Sequence, residues 1–330
     1  GGPAYPRAMA ETFEAYLVET LDAVRGDTGG EVFRVPEALA TADPDLLAVA
    51  ICSTEGVLSV AGDADHEFTI QSVSKAFVYA LALQEHGIDG VLERVDVEPS
   101  GEAYNVISVE PESNRPRNPM INAGALTIHA MVRGARADSE ERVAFILERL
   151  SAMAGRQLSI DEGAASDELD QADRNRAIAY MLRAEGVMPD DAEDVVRGYT
   201  RQCSILVSVR DLAMMAATLA NGGRQPATGE EILPLPVTRQ ALSVMTTCGM
   251  YDSAGDWMSD VGIPAKSGVA GSIMGAMPGR GGMAAYSPRL DRHGTSVRGE
   301  QVFERLSQEL GMHLLDDPRR GEARWNALQD

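Results

Sequence analysis

Strand-like runs stand toward the two ends of this chain, and the stretch between them reads as helix. Near the start, Leu46–Cys52 and Val57–Gly62 are apolar runs joined by Thr54-Glu55-Gly56, which predicts an antiparallel hairpin. Near the end, Ser272–Met277 and Gly282–Tyr286 have the same character. Helical candidates fill the middle: Ala123–Val132, Ser139–Ala154, Asp173–Glu185, Asp190–Gln202, Ser208–Ala220 and Thr238–Thr247. Three more lie outside it. Arg7–Arg25 carries Met9, Phe13, Tyr16, Leu17, Leu21 and Val24 at helical spacing; Val73–His86 is stopped by Gly87; Val297–Leu310 comes last. The expectation is an α+β fold, with one central antiparallel sheet assembled from the N- and C-terminal segments and flanked by helices. A helical lobe of about residues 120–250 is inserted between sheet-containing parts of about 29–72 and 255–312. The whole of 1–320 reads as one catalytic unit, and 321–330 as a tail.

The 330 residues suffice for a full hydrophobic core. A net charge of −21 argues against nucleic acid or an anionic membrane surface as partner, since both would repel it. No apolar run approaches the ~20 residues of a membrane helix. Gly1–Ala10 lacks a basic region followed by an apolar stretch, so no secretory signal is expected. Cys52, Cys203 and Cys248 are far apart and form no CxxC pair, which fits a reducing, cytoplasmic setting.

Of the 29 basic residues only Lys75 and Lys266 are lysine. A compositional bias toward arginine accounts for the rest of the surface but not for these two. Arginine keeps its proton in a protein, whereas burial can neutralise lysine and make it a base. Lys75 closes Gln71-Ser72-Val73-Ser74-Lys75, at an expected strand-to-helix junction. Ser72 and Lys75, three apart, share one helical face. N–H groups at a helix start favour negative charge, so a neutral lysine there can help a serine toward alkoxide. Lys266 opens Lys266-Ser267-Gly268-Val269, just before a predicted strand. S-x-x-K followed by K-[ST]-G is the paired signature of penicillin-recognising serine enzymes, in which the K-[ST]-G strand borders the site and its backbone donates to an oxyanion. An S-D-N triplet is absent, Ser166-Asp167-Glu168 being the nearest approach. The five histidines are scattered, and no G-x-S-x-G, HExxH, Walker loop or strand-linked G-x-G-x-x-G occurs.

A longer series resembles the bacterial and mitochondrial-type glutaminases, a serine-dependent family with the serine β-lactamase-like fold. It comprises Gln71–Lys75; Glu98-Pro99-Ser100-Gly101 with Asn105; Asn118–Ala125; Asp173-Arg174-Asn175; Gln202-Cys203-Ser204; Leu219–Gly223; Cys248-Gly249-Met250-Tyr251-Asp252; and Pro264–Val269. These run in family order over most of the chain. The resemblance implies hydrolysis of L-glutamine to L-glutamate and ammonia, with Ser72 as nucleophile and Lys75 as its base. Tyr251 would help move a proton to the departing ammonia. Val269 would give an N–H to the oxyanion hole beside that of Ser72, with Lys266, Ser267 and Gly268 in support. Asn122, Glu168, Asn175 and Tyr199 would grip the amino-acid end of the substrate. Glu168 stands seven residues before Asn175, a spacing that allows the two to share a helical face. No metal or cofactor is implied, and a homo-oligomer, dimer or tetramer, is expected.

The series has departures. Where the family shows Tyr-Ile-Pro, with a pocket-lining tyrosine, this chain reads Phe33-Arg34-Val35-Pro36, which puts Arg34 at the tyrosine position. Ser272 and Thr295 stand where Gly and Asn are common. Two other readings stay open at this level. One is a β-lactamase- or esterase-like serine hydrolase with the same Ser–Lys machinery. The other is a catalytically silent binding protein, for which Arg34 speaks and Ser72, Lys75 and Tyr251 do not. Salt tolerance is a further expectation, drawn from the acidic surface.

Overall fold

The computed structural model describes residues 12–329 apart from 104, 107, 108, 318 and 320. Residues 7–11 of the first expected helix, and the segment read for a secretory signal, lie outside the described residues. The chain begins with helices α1 (Phe13–Val24) and α2 (Glu37–Ala40), then strands β1 (Ala48–Ser53), β2 (Leu58–Gly62) and β3 (Phe68–Thr69). Helices α3 (Ser74–Leu92), α4 (Asn122–Met131) and α5 (Ser139–Ala154) precede β4 (Ser159–Ile160). Next come α6 (Glu162–Asp170), α7 (Asp173–Ala184), α8 (Ala192–Cys203), β5 (Ile205–Val207), α9 (Val209–Ala220), α10 (Leu235–Cys248) and α11 (Ala254–Asp260). The chain closes with β6 (Ala265–Gly268), β7 (Ser272–Met277), β8 (Gly281–Tyr286), α12 (Val297–Leu310) and α13 (Glu322–Gln329).

The main sheet has the order β2-β1-β8-β7-β6 and is antiparallel throughout. The hairpin β1–β2 meets the C-terminal strands where β1 pairs with β8, Ile51 opposite Met283. Every residue of β1 is buried, because both faces of the sheet are covered. Ala48, Ala50 and Cys52 face a core shared with α3, α9 and α10, whereas Val49 and Ile51 face one built with α1 and α12. The alternation follows from the two-residue period of a strand. Small residues line the α9 side for a steric reason: a Cβ on Gly282 would stand 2.1 Å from the Ala217 nitrogen, so the helix can cross only over glycine there. A third core, of Leu126, Ile178, Leu182, Val195 and Val196 among others, holds α4, α7 and α8 together.

Several features depart from expectation, among them the short helices α2 and α11, for which the sequence shows no period. Gly87, read as a stop, is a kink at φ 74°, and α3 resumes after it to Leu92. A second, three-stranded sheet of order β3-β5-β4 escaped the pattern, since two or three residues are too few to show a period. The residues read as a tail form α13, whose Trp325 and Leu328 are buried against the α1 side, Trp325 edge-on to Phe13 at 5.0 Å.

Candidate functional site

The site lies where β3, β6, α3 and the helical lobe converge. Strand β3 pairs with β5, and the Ile70 N–H continues that ladder to the Ile205 carbonyl at 2.8 Å. The chain then enters a single 3₁₀ turn, Gln71–Val73, and runs into α3. Gln71 enters that turn in the left-handed region, φ 49°, a conformation that costs a non-glycine residue about 1–2 kcal/mol. Val73, at the helix start, makes no side-chain cap, and the Ser74 N–H is taken up by the carbonyls of Gln71 and Ser72 in the turn. Ser72 is half-buried at this point, and Lys75 follows in the first turn with only 1% of its surface exposed.

The Lys75 Nζ donates to Asn122 Oδ1 at 2.7 Å, to the Met120 carbonyl at 3.0 Å and to the Tyr251 hydroxyl at 3.2 Å. Burial pushes its pKa down to about 7. Lys266, expected just before a predicted strand, lies inside a strand of its own, edge strand β6, fully buried, with Nζ 4.0 Å from the Tyr251 ring centre. Burial first, and the neighbouring Lys75 second, lower its pKa well below the lysine range. Its Nζ donates to the Ser267 carbonyl at 2.7 Å. Tyr251 is itself left-handed, φ 55°, on a short turn after α10. Gly249 lets that turn approach β6: a Cβ there would lie 1.8 Å from the Ala265 carbonyl oxygen.

A cavity of about 300 Å³ opens from Ser72. Asn122, Glu168, Asn175, Tyr199 and Val269 line it, so those five expected residues and Ser72 meet in one place. Lys75 sits behind this wall, joined to it by Asn122, whose Nδ2 donates to Asn175 Oδ1 at 3.0 Å. Tyr251, Ser267 and Gly268 meet Ser72 and Val269 in a second, adjoining cavity of about 10 Å³, the size of one water molecule. Enclosure raises the Glu168 carboxyl to about 7, while Gln71 Nε2, 3.2 Å away, opposes the shift. Burial likewise raises the Tyr199 hydroxyl well above its usual range.

Glu168 and Asn175 both line the cavity but reach it from different helices, α6 and α7, and not from one shared helical face. Helix α6 was not expected because it buries only Ala164 and Ala165 and shows no apolar stripe. Arg34 does not line the cavity; its side chain is 84% exposed and pairs with Glu31 at 3.5 Å. Phe33 and Val35, its neighbours, supply that wall instead. Gln71, Cys203 and Arg174 also line the cavity and were assigned no role from sequence, although each lies in a segment of the series. Beside it lies a cleft of about 990 Å³, lined by Arg34, Asp252 and His293 among others.

An antiparallel sheet closed from both chain ends, carrying a helical lobe over the start of its buried helix, defines the class: the serine β-lactamase-like fold. A family model described as Glutaminase matches residues 30–315. The glutaminase of Corynebacterium efficiens is 51% identical over 91% of this chain and 71% of its own length. That of Clavibacter michiganensis is 47% identical over 90% of both chains. Among solved structures, Mglu in its glutamate form superposes with a TM-score of 0.90 at 49% identity, covering 92% of this chain and 70% of that one. A probable glutaminase of Bacillus subtilis gives 0.84 at 32% identity, covering 91% and 97%. The chain belongs to the glutaminase family and is an L-glutamine amidohydrolase. The rival readings, a β-lactamase-like hydrolase and a silent binding protein, give way to it.

Proposed function

We propose that this chain hydrolyses L-glutamine through a γ-glutamyl ester on Ser72, with Lys75 as the base that forms it. The observation that carries the reading is the setting of Lys75. It is a buried amine with a pKa of about 7, one helical turn from Ser72 and 3.2 Å from the Tyr251 hydroxyl. Near neutral pH such an amine is a base of the right strength for proton transfer. Lys75 takes the Ser72 proton, and the alkoxide attacks the side-chain amide carbon. The N–H groups of Ser72 and Val269 receive the oxyanion. Tyr251, bridging Lys75 to the leaving side, passes a proton to the nitrogen as the C–N bond breaks and ammonia departs. Water then attacks the ester by the same route in reverse, releasing glutamate.

The substrate is a zwitterion, and the cavity offers one carboxylate among neutral groups. Glu168 is suited to the ammonium, while Asn122, Asn175 and Tyr199 suit the carboxylate and orient the chain. Lys266, whose burial disfavours its charged form, packs against the Tyr251 ring and ties β6 together through Ser267. A cytoplasmic enzyme without nucleic-acid or membrane partners completes the reading, supported by the net charge of −21 and three buried cysteines free of disulfides; the homo-oligomer stays an expectation drawn from the family resemblance. Glutamine-dependent ammonia release by wild type and Ser72→Ala is the test, with mass spectrometry of acid-quenched enzyme to find the ester. Ammonia release by Ser72→Ala at the wild-type rate would overturn the reading.

A further inference from the structure

Behind the nucleophile turn a line of buried polar groups runs through the core, outside the cavity. His129 Nδ1 lies 2.8 Å from Gln202 Oε1; Gln202 Nε2 donates to Ser74 Oγ at 3.0 Å; Ser74 Oγ donates to the Gln71 carbonyl at 2.8 Å. The three side chains come from α4, α8 and α3, and none has more than 1% of its surface exposed. The line ends on Gln71, the left-handed residue that precedes Ser72.

The polarity of the line is fixed at one end. An amide has one oxygen and one nitrogen, so donation to Ser74 turns the Gln202 oxygen toward His129, and the imidazole must carry its proton on Nδ1. His129 Nε2 is then bare, and it has no hydrogen-bond partner among the described residues. A Cβ at Gly198 would stand 2.4 Å from that atom, so the helix backbone leaves it no room for one. The opposite tautomer would bury a donor without an acceptor and reverse the amide. Ser74 would then face an oxygen, give its proton to Gln202 and release the Gln71 carbonyl.

We propose that Gln202, oriented by His129, is a positioning residue for the reaction, holding through Ser74 the left-handed Gln71 that aims the Ser72 N–H and hydroxyl. A strained peptide persists only where its surroundings over-determine it. The Gln71 side chain is tied to Thr69 and Glu168, and its carbonyl is tied by Ser74. The line also borders the cavity wall, with His129 edge-on to Tyr199 at 6.4 Å and Ser74 beside Cys203, but it holds the nucleophile turn only through the Gln71 carbonyl, so its loss falls mainly on the transition state and less on the grip on the amino-acid end. The proposal rests on the reading of Ser72 as nucleophile.

The test measures kcat, KM and melting temperature for Gln202→Leu, Ser74→Ala and the double variant, with Ser72→Ala alongside. Each single change is expected to lower kcat about tenfold with KM within about twofold, the loss of one hydrogen bond felt in the transition state. The double variant is expected to lose no more than either single one, because the two residues act as one unit. Unchanged kcat with a lowered melting temperature would make the line a packing feature and overturn the proposal, as would fully additive losses. If Gln202→Leu fails to fold, Ser74→Ala, which deletes a single hydroxyl, decides alone on its kcat. Wild-type activity in Ser72→Ala would overturn the underlying reading, and the proposal with it.

Discussion

Lys75 should be held in place at a cost to the stability of the whole protein, and replacing it with methionine exposes that cost. Its pKa falls from 10.5 to about 7 through burial. Between those values the unfolded chain holds a proton that the folded chain does not, so stability rises with pH across the window. Below about pH 7 the folded state bears the full penalty, roughly 4–5 kcal/mol at 1.36 kcal/mol per unit. Lys75→Met removes this penalty but strips the donor from the Met120 carbonyl, from Asn122 Oδ1 and from the Tyr251 hydroxyl. At about 1 kcal/mol for each, the net gain is about 2 kcal/mol. For a chain of this size that raises the melting temperature by about 3 °C. Turnover should fall at least ~100-fold for want of a base. Lys75→Arg is the control: a guanidinium cannot shed its proton, so that variant should be both inactive and less stable. Calorimetry of the three proteins between about pH 6.5 and 9.5, with ammonia release on the same samples, is the assay. The methionine variant should melt highest near neutral pH, and its lead should shrink as pH rises. A Lys75→Met protein that melts below wild type at pH 7, or a lead that widens with pH, would refute the reasoning.

Three further outcomes follow from the site and the surface. Glu168→Gln should raise KM for glutamine about 10- to 100-fold with a smaller change in kcat, since a charged hydrogen bond to the substrate ammonium becomes a neutral one; steady-state kinetics reads the split. Arg34→Tyr should leave KM within about twofold in the same assay, because the arginine side chain is 84% exposed and outside the cavity. Raising sodium chloride from ~0.01 to ~1 M shortens the screening length from about 30 to about 3 Å. With a net charge of −21, the melting temperature should rise across that series while ammonia release is largely kept.

Most long elements were legible because each carries its own period. Ser139–Ala154, Val297–Leu310 and Ser272–Met277 match the sequence reading residue for residue. The first has a capping box from Asp138 to Glu141, and the second a left-handed Gly311 after its last residue. Lysine rarity singled out Lys75 and Lys266 without any knowledge of the fold. The β3-β5-β4 sheet, helix α6 and the packed C-terminal helix were not legible, being short or lacking an apolar stripe.

The sequence by itself determined the antiparallel sheet from both ends, the serine and lysine three residues apart where a helix begins, and the run of segments that marks the family. Those are local matters, set by spacing along one element or by a run of residue types. Tertiary structure alone decided what these residues meet. It put Glu168 and Asn175 on separate helices, turned Arg34 out of the cavity, and buried Lys266 under the Tyr251 ring. It also joined Lys75 to Asn175 through Asn122, and Gln71 to His129 through Ser74 and Gln202. The reason is physical: a lysine acquires a pKa of about 7 only when several distant segments exclude water from it together, and no single segment carries that information.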